Sequence, residues 1–474
     1  MKILLVKPAP RLDTVRSVHG LVFLEPIELG YVAAAVPAGH DVKTLDLRMA
    51  RRPGQAFTRT LRSYRPDVVG LSGYTHEARQ VVALAGAVRR TLPGARVVVG
   101  GHHATVSPET YNVPDVDAIV RGEGCAPFRA VIEALAAGRA PSGIVNVMLP
   151  GADFDAGEAA RLPVYPDLDG LPVPRRDLWD PAAYFCVWPS ERHPRGQTIF
   201  PPVALVRSSF GCHMDCSFCV VPRLCRHRHM TRSPELVAEE IASVAASHIY
   251  FCDDETFLDH DHARRLAQAI RERGIRKHYF AWARSTSVVR APELFRQWHQ
   301  IGLDAVFLGF EAVTDEELQA ISKHGTVADN VRAHETLREM GVAVQGGFMV
   351  RPDFGRAEFD RLRQTIVQMP PAQITLTVYT PSPLSPAWSA ESAEFVCDPF
   401  DLHDCMHPLT PTVLPLKEFY EQFASLVWDG ARKTPFQTQR SRIPRRDLVR
   451  LWWSATGYVR SIRKAYRDFP KELW

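Results

Sequence analysis

Cys212, Cys216 and Cys219 lie on one short stretch, Val203–Cys219, that reads VALVRSSFGCHMDCSFC. An apolar, β-branched run leads into a glycine and then into three thiols spaced three and two residues apart. Thiolates so spaced on one loop can hold three corners of a cubane iron–sulfur cluster and leave the fourth iron without a protein ligand. An iron with an open position can hold a small molecule as well as pass an electron. The competing chemistry is a four-ligand zinc knot completed by Cys225, His213, His227 or His229. Zinc sites usually combine two CxxC or CxxxH pairs, and the second pair is missing, so the spacing favours the cluster.

Such a loop needs a scaffold, and the chain from Val203 to about Ser385 supplies an alternation of strand and helix patterns. Strands are expected at His248–Cys252, Tyr279–Ala283, Ala305–Gly309, Ala343–Val350 and Gln373–Tyr379. Helices are expected at Pro234–Ala245, Arg264–Glu272, Leu294–Gln300 and Val331–Met340. Ser233 stands at the N-cap position of the first of these helices. Six β/α units suit a partial (β/α)6 barrel, whose functional groups cluster at the carboxyl ends of the strands. Asp253, Asp254 and Glu255 follow the second strand, Arg284 the third and Glu311 the fourth. Carboxylates suit an ammonium and a guanidinium suits a carboxylate, while the acidic triplet can also cap the next helix; Asp254 can do both.

The first 150 residues alternate in the same way, with strands at Lys2–Val6, Asp41–Asp46, Asp67–Leu71, Arg96–Val99 and Ala118–Val120 and helices at Leu29–Val36 and Val81–Arg90. This is the pattern of a doubly wound parallel sheet, an α/β fold with its ligand site beyond the carboxyl strand ends. Three glycine-containing turns stand at those ends: Ser72-Gly73-Tyr74-Thr75-His76, Gly100-Gly101-His102-His103-Ala104-Thr105 and Gly122-Glu123-Gly124. Glycines there let the backbone approach a large flat ligand, although each turn by itself reads equally well as an ordinary strand–helix connection.

Residues 151–200, with Pro163, Pro166, Pro172, Pro174, Pro181, Pro189 and Pro194, read as an ordered connector. Leu168, Leu171 and Leu178 are its candidate packing residues. Residues 386–474 read as a mainly helical C-terminal region with helices at Lys417–Trp428 and Arg445–Arg467. The second has Leu448, Leu451, Trp452, Ala455, Val459 and Ile462 on one face and basic residues on the other. Such a stripe usually packs on its own protein, and it can also rest on an anionic membrane surface.

Composition places the whole among ordinary globular chains: 474 residues, 46% hydrophobic and 23% charged. Nine unevenly spaced cysteines do not form a disulfide framework and fit a reducing, cytoplasmic setting. The opening MKILLVKPAP is too short for a signal peptide, and no stretch approaches a membrane span. The net charge of +4 is uneven: residues 430–474 carry 12 Lys/Arg against 3 Asp/Glu, and the rest 45 against 50. No nucleic-acid-binding module accompanies the basic tail.

The cysteine loop, with Phe218 before its last thiol, resembles that of the radical SAM superfamily, and the preceding domain resembles the cobalamin-binding domain of B12-dependent members. The likeness to hopanoid C-3 methylases, a branch of the B12-dependent radical SAM methyltransferases, runs through Leu24-Glu25-Pro26, Gly100–Ala104, Arg121–Gly124, the cysteine loop and Ile275-Arg276-Lys277. It continues through Phe307–Ala312, Pro352-Asp353-Phe354 and Leu414–Tyr420. The resemblance implies that Cys212, Cys216 and Cys219 bind a [4Fe-4S] cluster and that Phe218, Asp253, Asp254, Glu255, Arg284 and Glu311 surround S-adenosyl-L-methionine. It further implies that Glu25, Tyr74, Thr75, Gly100, Gly101, His102, Gly122, Glu123 and Gly124 surround cobalamin.

The implied reaction is hydrogen removal by a SAM-derived radical followed by methyl transfer from methylcobalamin, with a further SAM restoring the methyl group. Flavodoxin or ferredoxin would donate the electron. Two rival activities share this framework, a cyclase or rearrangement enzyme that uses cobalamin without methyl transfer and a non-catalytic cobalamin sensor. Many B12 domains carry a DxHxxG loop whose His binds cobalt from below; here Asp46-Leu47-Arg48 has Arg at that place. Tyr74, Thr75 or His76 would then face the lower side of cobalt, with His76 either a ligand or, the favoured reading, a surface or hydrogen-bonded residue. A second departure is Pro383-Leu384-Ser385 where the relatives usually have Pro-Gly-Thr, and Ala283-Arg284-Ser285 also differs. The substrate is expected to be a hopanoid-like lipid or a small secondary-metabolite ring.

Overall fold

The computed structural model describes the chain except residues 153, 155–161, 191–194, 434–441 and 474. It divides into two compact units that do not follow chain order. Residues 1–12, 26–180 and 398–403 form the first, and residues 13–25, 181–397 and 404–474 the second.

The first unit is built on six strands: β1 (Lys2–Lys7), β2 (Asp41–Asp46), β3 (Val68–Ser72), β4 (Arg96–Gly100), β5 (Ala118–Val120) and β6 (Val147–Met148). Their order is β2-β1-β3-β4-β5-β6, parallel except for the last pairing. Val, Ile and Leu fill both faces because helices cover both. Leu4, Val6, Val69, Leu71, Val97 and Val99 pack with Phe57, Leu61, Val81 and Val88 on one side. Ile3, Leu5, Val68, Val98 and Val120 pack with Leu29, Phe128, Val131 and Ile132 on the other. Each such side chain contributes about 1.5–3 kcal/mol through burial. The strand order reverses between β1 and β3, and that switch point is where doubly wound sheets hold ligands.

Three features of this unit escaped the pattern reading: the helices Pro53–Tyr64 and Cys125–Ala136 and the antiparallel edge strand β6. A distant segment also joins it. The short helix Pro399–Leu402 sets Phe400 edge-on against His103 at 4.8 Å, and Arg79 pairs with Asp398 and, at 3.0 Å, with Asp401. The connector begins as part of this unit, with Leu168 and Leu171 buried and Leu178 packed on the sheet. Pro194 lies outside the described residues.

The second unit is a sheet of six parallel strands in sequential order: β7 (Val203–Val206), β8 (His248–Phe251), β9 (His278–Ala283), β10 (Leu303–Glu311), β11 (Ala343–Val350) and β12 (Gln373–Val378). β7 and β12 remain as edges, so the barrel is partial. The buried Trp188 closes its amino-terminal floor, donating Nε1–H to Asp304 at 2.8 Å and packing edge-on against Phe280. At the open edge of β7, Leu205 N–H is satisfied by the carboxylate of Glu25 at 2.8 Å. Residues 13–25 belong here through bonds of the same kind, Thr14 to Asp404 at 2.5 Å and Ser17 with Ser461 at 2.7 Å.

Candidate cofactor sites

The cysteine loop leaves the carboxyl end of β7 and is fastened at its base by the acidic residues that follow β8. Asp253 accepts Ser208 N–H at 2.8 Å, Ser209 N–H at 2.9 Å and the Ser208 hydroxyl at 2.6 Å. Burial raises its pKa against the pull of these bonds. Asp254 accepts Gly211 N–H at 2.7 Å. Gly211 has φ +94°, and a Cβ there would fall 2.3 Å from the Arg228 carbonyl oxygen, so only glycine fits. The loop is further held by Ser209–Phe210 pairing antiparallel with Met230–Thr231.

Burial pushes the Cys212 thiol up to about 11 and Cys219 up to about 12, so both need a metal to stay deprotonated at neutral pH. Cys225 is sealed beneath the loop, its sulfur 3.4 Å from both the backbone N and O of Cys212, where it serves as a prop. Among the described residues no three His, Cys, Asp or Glu side chains gather to hold a single ion. A cubane places each thiolate on a different iron and fits three thiols spread along one loop.

Glu255 and Arg284 are set apart from the other strand-end residues. Glu255 Oε1 accepts from Arg284 N–H at 3.2 Å and from the Ser287 hydroxyl, while its buried Oε2 has no partner. Arg284 reaches Cys216 Sγ at 3.6 Å and the His324 carbonyl at 2.9 Å, while its buried Nε has no partner. A bare carboxylate oxygen and a bare guanidinium nitrogen, both buried and on residues bonded to each other, fit the ammonium and carboxylate of an amino-acid zwitterion. Of the acidic triplet, then, Asp253 and Asp254 fasten the loop and Glu255 keeps an acceptor free.

Glu311 ends β10 at a bulge, in the left-handed region at φ +65°, and pairs with Lys323 at 2.9 Å. Phe218 packs with Ile321, Met349, Tyr379 and Ala387. The segment after β12 grips the same loop: Ser382 N–H donates to the Phe218 carbonyl at 3.2 Å, and Ala387 N–H to the Ser217 carbonyl at 2.9 Å. Leu384, standing for the usual glycine, adopts φ +69°. Inside the sheet, Tyr250 stacks on Phe280 at 4.6 Å and Trp282 meets Phe307 at 4.2 Å, giving an aromatic floor.

In the first unit the strand ends around the switch point carry a charged cluster that pattern reading passed over. Lys7, at the end of β1, is 5% exposed, donates to Glu28 at 2.8 Å and lies 4.3 Å from the Tyr74 ring centre. Burial opposes its charge, but Glu28 and Glu77 outweigh it and raise its pKa. A buried lysine closing the strand KILLVK after four apolar residues was the available signal. Tyr74 remains 51% exposed above it, and the buried Thr75 Oγ1 has no partner.

Gly101, at φ +93°, sits so close to β3 that a Cβ would lie 2.6 Å from Ser72 Oγ. His102 follows at a helix start, its pKa lowered to about 4 by burial, and the neighbouring His103 is lowered to about 3. Thr105 Oγ1 accepts from Gly122 N–H at 2.9 Å, which ties two of the three turns together. Glu123 caps the following helix by accepting Cys125 N–H at 2.8 Å. Gly100 and Gly124 stand at the ends of β4 and at the start of that helix. Arg48 folds back on Asp46 at 2.6 Å. Small residues and one exposed aromatic ring around the switch point fit a broad flat group. Glu25, also expected around cobalamin, belongs to the second unit, where its carboxylate accepts from Leu205 N–H.

Comparison with known proteins finds both domain types in the chain. Residues 18–132 match the B12 binding domain and residues 206–366 the Radical SAM superfamily. Hopanoid C-3 methylase of Methylococcus capsulatus is 30% identical over 100% of this chain and 88% of its own length. Among solved structures, the cobalamin-dependent S-adenosylmethionine radical enzyme OxsB with aqua-cobalamin and S-adenosylmethionine bound superposes with a TM-score of 0.68 at 15% identity, over 97% of this chain and 71% of its own. The radical S-adenosylmethionine methyltransferase TsrM of Kitasatospora setae, with cobalamin and a [4Fe-4S] cluster, gives 0.62 at 15% identity, over 98% and 99%. With the paired domains in this order and a full-length relative at that identity, the chain belongs to the cobalamin-dependent radical SAM methyltransferases.

Proposed function

We propose that this enzyme methylates an unactivated carbon of a hopanoid-like lipid or of a small secondary-metabolite ring, with the substrate resting on the aromatic floor formed by Tyr250, Trp282 and Phe307. A C–H bond of that kind cannot be deprotonated by a side chain at neutral pH, so the hard step falls to cofactors. When bound, these supply a radical that removes hydrogen and a methyl group that replaces it.

The chain's own residues bind and orient. Cys212, Cys216 and Cys219 hold the cluster on a loop that Asp253, Asp254 and Gly211 fix in place. Glu255 receives the SAM ammonium, and Arg284 its carboxylate while facing Cys216. Phe218 and Glu311 bound the same pocket. In the first unit Tyr74, Thr75, Gly100, Gly101, His102, Gly122, Glu123 and Gly124 surround the corrinoid, with Lys7 fixing Tyr74 from beneath. Because Arg48 is engaged by Asp46, the DxHxxG position offers no nitrogen to cobalt. An acidic carrier such as flavodoxin or ferredoxin supplies electrons, and the basic last helix touches the membrane peripherally.

The observation that carries this reading is the buried pair of bare atoms, Glu255 Oε2 and Arg284 Nε, on two residues joined by a hydrogen bond, the second of which reaches Cys216. Incubation of reconstituted protein with methyl-labelled SAM, reductant and candidate substrates, followed by mass spectrometry, tests it. The expected product carries the label. SAM cleavage with a dehydrogenated or cyclised product and no label would replace methyl transfer by the cyclase chemistry.

A further inference from the structure

The two C-terminal helices, Leu416–Lys433 and Arg445–Lys464, pack on each other and leave space on both sides of their contact. On the inner side is a cavity of about 230 Å3 against β11 and β12, walled by aliphatic residues such as Val187, Ile374, Leu376 and Val427. Its polar groups are few: Gln345 donates to Thr375 Oγ1 at 2.7 Å, and Gln373 to the Val187 carbonyl at 3.4 Å. On the outer side is an open groove of about 560 Å3 that includes Trp428, Arg432, Leu448 and Trp452. Ala431, Leu451 and Ala455 line both spaces, so a single layer of mostly small side chains separates them.

We propose that this pair of spaces is a side entrance for the hydrocarbon body of a membrane lipid, with Ala431, Leu451 and Ala455 as its gate. The rim points to the source. Val449, Trp452 and Trp453 are 56%, 55% and 66% exposed, and Arg445, Arg446 and Arg460 are exposed on the same helix. Tryptophan favours the membrane–water boundary and arginine an anionic surface.

The inner end points to the destination. Alternate residues of a strand share a face. A Cβ on Gly347 would meet the Phe307 ring, and one on Gly346 the Phe310 ring, so Gln345, Gly347 and Met349 lie on the Phe307 face. Met349 packs in the cluster that Phe218 joins, next to Cys219. Gln345 and the end of β11 at Val350 are five residues apart, roughly 16 Å along the strand, with the Phe307 ring packed over Gly347 between them. A ligand reaching from the gate to the cysteine loop is therefore elongated, which favours a lipid over a small ring. This selection rests on the methyltransferase reading only for what happens at the far end; the binding site stands without it.

Cis-parinaric acid serves as the probe, because its fluorescence rises in apolar surroundings and it accepts energy from tryptophan. The full-length, cofactor-loaded protein is titrated without reductant, so failure of methyl transfer cannot alter the result. Wild-type protein is expected to bind saturably. Ala455→Trp fills the gate and should weaken binding at least tenfold, Ala431→Leu should weaken it in the same direction, and Gly457→Ala, with open space around it, should change nothing.

Flotation with vesicles of 70% phosphatidylcholine and 30% phosphatidylglycerol should recover the wild type and lose the Trp452→Ser/Trp453→Ser double variant. Wild-type affinity in Ala455→Trp and Ala431→Leu proteins of unchanged melting temperature would overturn the gate; if the first variant does not fold, the second decides. Vesicle binding indifferent to Trp452 and Trp453 would overturn the membrane source. A labelled small-ring product from protein that binds no parinarate would sink the entrance and leave the methyltransferase intact.

Discussion

Replacing Glu255 by Gln tests the assignment of the SAM site at a single atom. The substitution keeps an acceptor for Arg284 N–H and the Ser287 hydroxyl, since the amide oxygen can take the place of Oε1. It exchanges the bare Oε2 for an NH2 group that would face the ammonium of SAM with donors. A hydrogen bond to a charged group in a buried site contributes about 1.5–3 kcal/mol, which converts to roughly a ten- to hundredfold loss of affinity. Equilibrium dialysis of labelled SAM against iron- and corrinoid-loaded protein measures this directly.

Asp253→Ala is the contrast. It strips Ser208 and Ser209 of the acceptor for two buried N–H groups, at about 1–3 kcal/mol each, and should reduce iron content by loosening the loop. If Glu255→Gln binds SAM like the wild type while Asp253→Ala retains iron and loses SAM, the division of roles within the triplet is wrong.

Three further outcomes concern stability. His407 is fully buried between Asp404 at 2.8 Å and Asp468 at 3.2 Å, and although burial opposes its charge, these carboxylates raise its pKa to about 9. A raised pKa stabilises fully below the unfolded value of about 6.5 and is lost as pH climbs through 9, so the unfolding free energy from urea titrations should fall across that window by up to about 3 kcal/mol, and the pH dependence should flatten in His407→Gln. Gly101→Ala forces a Cβ against Ser72 at positive φ and should lower the unfolding midpoint by about 2–5 kcal/mol, with weakened corrinoid retention on gel filtration. Leu384→Gly removes a left-handed leucine beside the cysteine loop and should raise thermal stability by about 0.5–1 kcal/mol; an unchanged or lower melting temperature would mean that the leucine's packing outweighs its strain.

Most strands of the first sheet were legible as short runs of Val, Ile and Leu, and those of the second as apolar runs with aromatic residues that alternate with helical patterns, whereas the short edge strand β6 gave no such run. The cysteine loop was legible because three thiols within eight residues have few other uses. What stayed hidden depends on partners far away in sequence. Glu25 reads as a neighbour of the first domain, but the open edge of β7 needs an acceptor for Leu205 N–H, and that demand appears only once the strand order is known. Residues 398–403 join the first unit through Phe400 on His103 and two aspartates on Arg79, contacts that no local pattern announces.

The C-terminal stripe was half legible: Leu448, Leu451, Ala455, Val459 and Ile462 do turn inward, while Trp452, drawn on the same face, stands exposed. A helical wheel assigns a residue to a side of the helix but not to a depth, and depth depends on the neighbouring helix. The acidic triplet shows the same limit at its sharpest. Asp253, Asp254 and Glu255 are chemically near-identical and adjacent, yet two spend their acceptors on backbone N–H groups of a loop 43 to 45 residues upstream, and one keeps an oxygen bare. Sequence shows that carboxylates are present at a strand end; only the hydrogen-bond inventory shows which one still has something to offer a ligand.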